Sequence, residues 1–166
     1  MEIYRGKRLS IEIKDVHLPD GRSRERVIVH PGDAVAILPK GDNDILYLLR
    51  QYRYAIDAYI YEAPAGTMIE GELPEETARR ELIEETGFSA RHFRKRGIVY
   101  STPGFTDERL HLFEAEGLFP SSEYRKDDDE IIELVPMSIP EFRSMCIDGR
   151  ISDAKTICLA YRCLQG

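Results

Sequence analysis

Residues 66–88 decide the reading: Gly66-Thr67-Met68-Ile69-Glu70-Gly71-Glu72-Leu73-Pro74-Glu75-Glu76-Thr77-Ala78-Arg79-Arg80-Glu81-Leu82-Ile83-Glu84-Glu85-Thr86-Gly87-Phe88. Pro74 suits the first turn of a helix, Ala78 and Leu82 sit one turn apart, and Gly87 is a natural C-terminal stop. A helix is therefore expected over Pro74–Thr86. Residues 70–85 carry seven glutamates. Glu81 and Glu85 are spaced i, i+4, and Glu84 is i+3 from Glu81, so their carboxylates are neighbours on the helix surface. Like charges so placed destabilise an isolated helix. Arg80 can pair with Glu84 but cannot neutralise three carboxylates. A hard divalent cation can, and Mg²⁺ takes one or two carboxylates plus substrate phosphates. On spacing alone, a solvated acidic face accounts for the pattern equally well.

Before this segment the chain reads as strands. Leu9, Ile11 and Ile13 alternate with Ser10, Glu12 and Lys14. Leu18-Pro19-Asp20-Gly21 supplies a turn, and Arg26–His30 resumes as a strand until Pro31-Gly32-Asp33. Apolar runs at Ala34–Leu38, Ile45–Leu49 and Ala58–Tyr61 follow. After the helix, strands are expected around Gly97–Tyr100, Leu110–Ala115 and Ile131–Val135. Ser138-Ile139-Pro140-Glu141 has the pattern of a helix start, and a last helix should begin near Ser152-Asp153. Strands with a few helices imply a mixed α/β fold with an N-terminal β extension.

The 166 residues match one domain in size, long enough for a core without disulfides. The formal charge is −7, from 23 basic and 30 acidic residues. No extended basic tract breaks that balance, so neither a nucleic-acid nor an anionic-membrane partner is expected. A small phosphate would meet the same repulsion unless cations bridge it to the chain. No apolar run approaches a membrane span, and no signal-peptide block opens the chain. Cys146, Cys158 and Cys163 have no metal-site spacing, and reduced thiols in the cytoplasm are the expectation.

The order Gly66, five residues, Glu72, seven residues, Arg80-Glu81-Leu82-Ile83-Glu84-Glu85-Thr86-Gly87-Phe88 resembles the Nudix box at all nine specified positions. That resemblance implies an α/β/α sandwich in which the box forms a loop-helix-loop. It implies a hydrolase that cleaves a nucleoside diphosphate linked to another group, using Mg²⁺ or Mn²⁺. It makes Glu81 and Glu85 metal ligands, joined by the Ala65 carbonyl, with Glu84 a further candidate and Arg80 orienting the glutamates.

Flanking residues narrow the group. Gln51-Tyr52-Arg53-Tyr54 and Ser101-Thr102-Pro103-Gly104-Phe105-Thr106-Asp107-Glu108 resemble segments of the ADP-ribose pyrophosphatase subgroup. The resemblance implies substrate contacts from Arg53, Pro103, Gly104 and Glu108. As residue types, an arginine can grip phosphate oxygens in a bidentate manner and a carboxylate can accept from sugar hydroxyls. A surface arginine, a plain turn and a solvated loop charge are the competing accounts. Asp127-Asp128-Asp129-Glu130 sits where the subgroup carries an acidic loop. Glu130 is the first choice for metal ligand or base, and Asp128 the second.

The expected reaction is hydrolysis of ADP-ribose to AMP and ribose 5-phosphate. Another nucleoside diphosphate sugar such as GDP-mannose is the alternative substrate, and a non-catalytic nucleotide sensor the alternative class. Residues 1–40 resemble the extension through which the subgroup forms homodimers, leaving 41–166 as the catalytic domain.

Overall fold

The computed structural model describes residues 1–123 and 132–164. Three N-terminal strands, β1 (Glu2–Arg5), β2 (Ser10–His17) and β3 (Ser23–His30), form an antiparallel sheet in sequence order. A second, seven-stranded sheet holds β4 (Ala34–Lys40), β5 (Ile45–Arg53), β6 (Ala58–Glu62), β7 (Ala65–Thr67), β8 (Phe88–Tyr100), β9 (Arg109–Pro120) and β10 (Ile132–Ser138). Its main path runs β10-β5-β4-β9-β8, with β6 on β5 and β7 on β4. The β4–β9 pair is parallel and the other pairs are antiparallel, so the sheet is mixed.

β4 lies at its centre. Val35 to Leu38 are fully buried because alternate residues feed opposite faces. Val35 and Ile37 pack with Ala78 and Leu82 of α1 (Pro74–Thr86). Ala36 and Leu38 face Phe142 and Met145 of α2 (Ile139–Ile147) and Leu159 of α3 (Ala154–Cys163). Helices thus cover both faces, giving three α/β/α layers.

The helices end where local chemistry requires. Pro74 opens α1, the Glu76 carboxylate accepts from the Leu73 N–H at 2.8 Å, and Gly87 closes it at φ 75°. Ser138 caps α2 by accepting from the Glu141 N–H, and Asp153 caps α3 through the Thr156 N–H.

The break between the sheets falls at Pro31–Asp33, not at residue 40. Ala34–Lys40, expected within the N-terminal extension, is the central strand of the large sheet. A fully apolar run of that kind needs cover on both faces, which the small sheet lacks. β8 is also longer than expected, beginning at Phe88 rather than near Gly97. Among the described residues, no helix is long and apolar enough to cross a membrane.

Candidate active site

β7 and α1 are joined by the short segment that leads into the helix, and this connection builds one wall of a cleft of about 1020 Å³. Glu81 and Glu85 of α1 line this cleft together with Arg53 of β5. The Ala65 N–H donates to Glu85 Oε2 at 2.8 Å. Gly66 lets the Glu81 carboxylate approach the main chain, for a Cβ at that position would overlap it. Ala65 itself lines the cleft.

Arg80 organises the glutamates from outside the lining. Its Nε and Nη2 each lie 3.1 Å from a Glu72 oxygen, and Nη1 donates to Glu81 at 2.6 Å and to Glu84 at 2.9 Å. Nη2 also reaches the Thr67 carbonyl at 3.3 Å. The hydrogen bond from Arg80 dominates the acidity of Glu72. Partial burial opposes it, but Thr77 and the Ile69 N–H assist, and the carboxyl is held down at about 2. The same contacts push the Arg80 guanidinium above its ordinary value. Glu84 is half exposed and faces Arg80, away from the lining.

Of the flanking residues, Arg53 and Glu108 reach the cleft, whereas Pro103 and Gly104 lie on the exposed turn beside it. That turn is tied to the small sheet. The Val29 N–H donates to the Phe105 carbonyl at 2.8 Å, and His30 Nδ1 lies 2.6 Å from Asp107 Oδ2. Arg53 is gripped by buried Glu62 through Nε at 2.5 Å and Nη2 at 2.7 Å. Glu130 and Asp128 lie outside the described residues.

The donors suit a hard divalent cation: two carboxylates and a main-chain segment, all oxygen chemistry, with space for substrate oxygens. Among the described residues, no three His, Cys, Asp or Glu side chains form a closed metal cluster. An ion that takes one or two carboxylates and completes its shell with water and phosphate fits that arrangement.

Sequence reasoning passed over several lining residues. Lys7 and Arg8 enter from the β1–β2 turn, and Asp153 and Lys155 from the start of α3. No local spacing marks them, and Lys155 meets its partner Glu62 across 93 positions.

The NUDIX domain family matches residues 30–159. An ADP-ribose pyrophosphatase of Bacillus subtilis is 40% identical over 157 residues, covering 93% of this chain and 84% of its own. A methanol dehydrogenase activator of Bacillus methanolicus is 36% identical over 166 residues, covering 99% and 89%. The crystal structure of an ADP compounds hydrolase superposes with a TM-score of 0.84 at 24% identity, covering 97% of this chain and 87% of that one, a likeness of fold. With its box intact, its three layers in place and most of its length matched, the chain belongs to the Nudix family.

Proposed function

We propose that the protein is a divalent-metal-dependent diphosphate hydrolase that splits ADP-ribose into AMP and ribose 5-phosphate. One observation carries the reading: Glu81 and Glu85 share a cleft with Arg53, so carboxylates for a cation and a guanidinium for phosphate oxygens flank the same space. The 40% identical relative named an ADP-ribose pyrophosphatase supports the choice of substrate.

Glu81, Glu85 and the Ala65 carbonyl are the proposed ligands of Mg²⁺, with Mn²⁺ as a substitute. Such an ion, when bound, offsets diphosphate charge and lowers the pKa of a coordinated water. Arg53 donates to the diphosphate oxygens, and Glu108 accepts from sugar hydroxyls. Pro103 and Gly104 shape the turn that presents Glu108. Arg80 bridges Glu81 and Glu84 through Nη1 and offsets their mutual repulsion. The proposed base for the attacking water is a single carboxylate of the acidic run, Glu130 as first choice or Asp128 in its place, and Glu130 is also the further metal ligand proposed.

The small sheet exposes Ile3, Tyr4 and Val27, and a second copy covering them would give the homodimer proposed here. The cysteines are unpaired, which fits the reducing cytoplasm.

The test is release of AMP from ADP-ribose with Mg²⁺, run beside GDP-mannose and other nucleoside diphosphate sugars. Preference for ADP-ribose is expected. Faster cleavage of GDP-mannose would move the substrate, and tight binding without cleavage would favour a sensor.

A further inference from the structure

Glu62 exposes 1% of its surface. A charge so buried persists only when paired and hydrogen-bonded. One cation would meet that need, and Glu62 has two. Arg53 spans both of its oxygens, and Lys155 Nζ donates to Oε2. Burial pushes the Glu62 carboxyl up, but the Arg53 hydrogen bond and the Lys155 charge outweigh it and hold the group below its ordinary value.

The companion carboxylate is Asp153. Its Oδ1 accepts from Lys155 at 2.8 Å, while Oδ2 is committed to the Thr156 N–H at 2.9 Å and the Thr156 hydroxyl at 2.6 Å. That hydroxyl in turn accepts from the Ala63 N–H at 2.7 Å, which pins the first turn of α3 beside the end of β6. Glu62 lies beneath the cleft lining, whereas Arg53 and Lys155 are part of it. An ammonium has three N–H donors and a guanidinium five. Glu62 and Asp153 use two of the first, and Glu62 two of the second.

We propose that Lys155 is a second diphosphate-binding cation of this cleft, and that Glu62 is the positioning residue that sets it beside Arg53. The inference rests on the diphosphate hydrolase reading. Donors already fixed by Glu62 lose little freedom when an anion arrives, and bonds from a cation to phosphate oxygen are about twice as strong as neutral ones. The chain thus offers the diphosphate a cationic wall facing the glutamates of α1.

The experiment compares wild type with Lys155→Met, Lys155→Arg and Glu62→Gln by steady-state kinetics on ADP-ribose with Mg²⁺, and by calorimetric titration with ADP. Lys155→Met keeps the stem and loses the charge. It should raise the ADP-ribose KM and the ADP Kd about tenfold, with kcat falling less. Lys155→Arg should recover most of the loss, and Glu62→Gln should raise the same KM. Unchanged KM and ADP affinity in a folded Lys155→Met protein would overturn the proposal, leaving Lys155 a tie between α3 and β6. A wild type that binds ADP through Lys155 yet cleaves no nucleoside diphosphate sugar would overturn the hydrolase reading alone.

Discussion

Ala65 and Glu85 are joined by a hydrogen bond from β7 to α1, the Ala65 N–H donating to Oε2 at 2.8 Å. The bond orients the carboxylate through the main chain. Glutamine at 85 keeps an acceptor oxygen and loses the charge. Glu85→Gln and Glu81→Gln should therefore fold, yet lose at least about a hundredfold in kcat if each carboxylate holds a cation. Melting curves and AMP release read the two effects separately. Near-normal turnover of Glu81→Gln at limiting Mg²⁺ would sink its assignment as a ligand.

Gly66 should tolerate no side chain. A Cβ there overlaps the Glu81 carboxylate, which must then swing out of the cleft or push β7 away from α1. Gly66→Ala should cost about 1–3 kcal/mol in stability and abolish most activity. Denaturant titration beside the hydrolysis assay checks both. A fully active alanine variant would show that the close approach is dispensable.

Acid should loosen the base of α1. Glu72 is held at about 2 against an ordinary 4.5, so the unfolded chain takes up its proton first as pH falls. Its stabilising contribution is complete above 4.5 and is lost progressively as pH drops toward 2. Glu72→Gln should flatten that part of the stability curve. Thermal melts across the range decide the matter, and parallel curves for the two proteins would count against the Arg80 contact.

Mild alkali should loosen the tie between the sheets. The hydrogen bond with Asp107 dominates at His30; burial opposes it, Glu12 assists, and the ring stays protonated above its ordinary 6.5. This stabilisation is complete below 6.5 and lost as pH rises through the raised value. The groups are partly exposed, so it amounts to about 1 kcal/mol or less. NMR titration of His30 in wild type and Asp107→Asn gives the test, with a fall in its pKa expected in the variant.

Local chemistry made some of this legible in the chain. Pro74, the Ala78–Leu82 spacing and Gly87 bound α1 as the structure does, because capping and backbone rules act within a few residues. The close approach that Gly66 admits was not legible, since its neighbour Glu81 lies fifteen positions ahead. The first half of β8 was hidden by Arg91, His92, Arg94, Lys95 and Arg96. Alternation of apolar residues fails there, and Glu114 and Glu116 across the pair on β9 supply partners that only the register reveals. The boundary at residue 40 missed because β4 follows the small sheet without a long linker. Arg53 was readable as a cleft residue from the segment around it, whereas the Glu62–Lys155 pairing spans 93 positions.

The charged character of β8 has a colloidal consequence. β8 closes one end of the large sheet, where unpaired main-chain groups of one molecule could accept a strand from another. Basic side chains on both faces of that end place like charges opposite one another whenever two copies meet there. Edge-to-edge stacking is thereby penalised, and the overall negative charge that suits dispersion is kept. The open rim of the sheet guards itself against fibre growth.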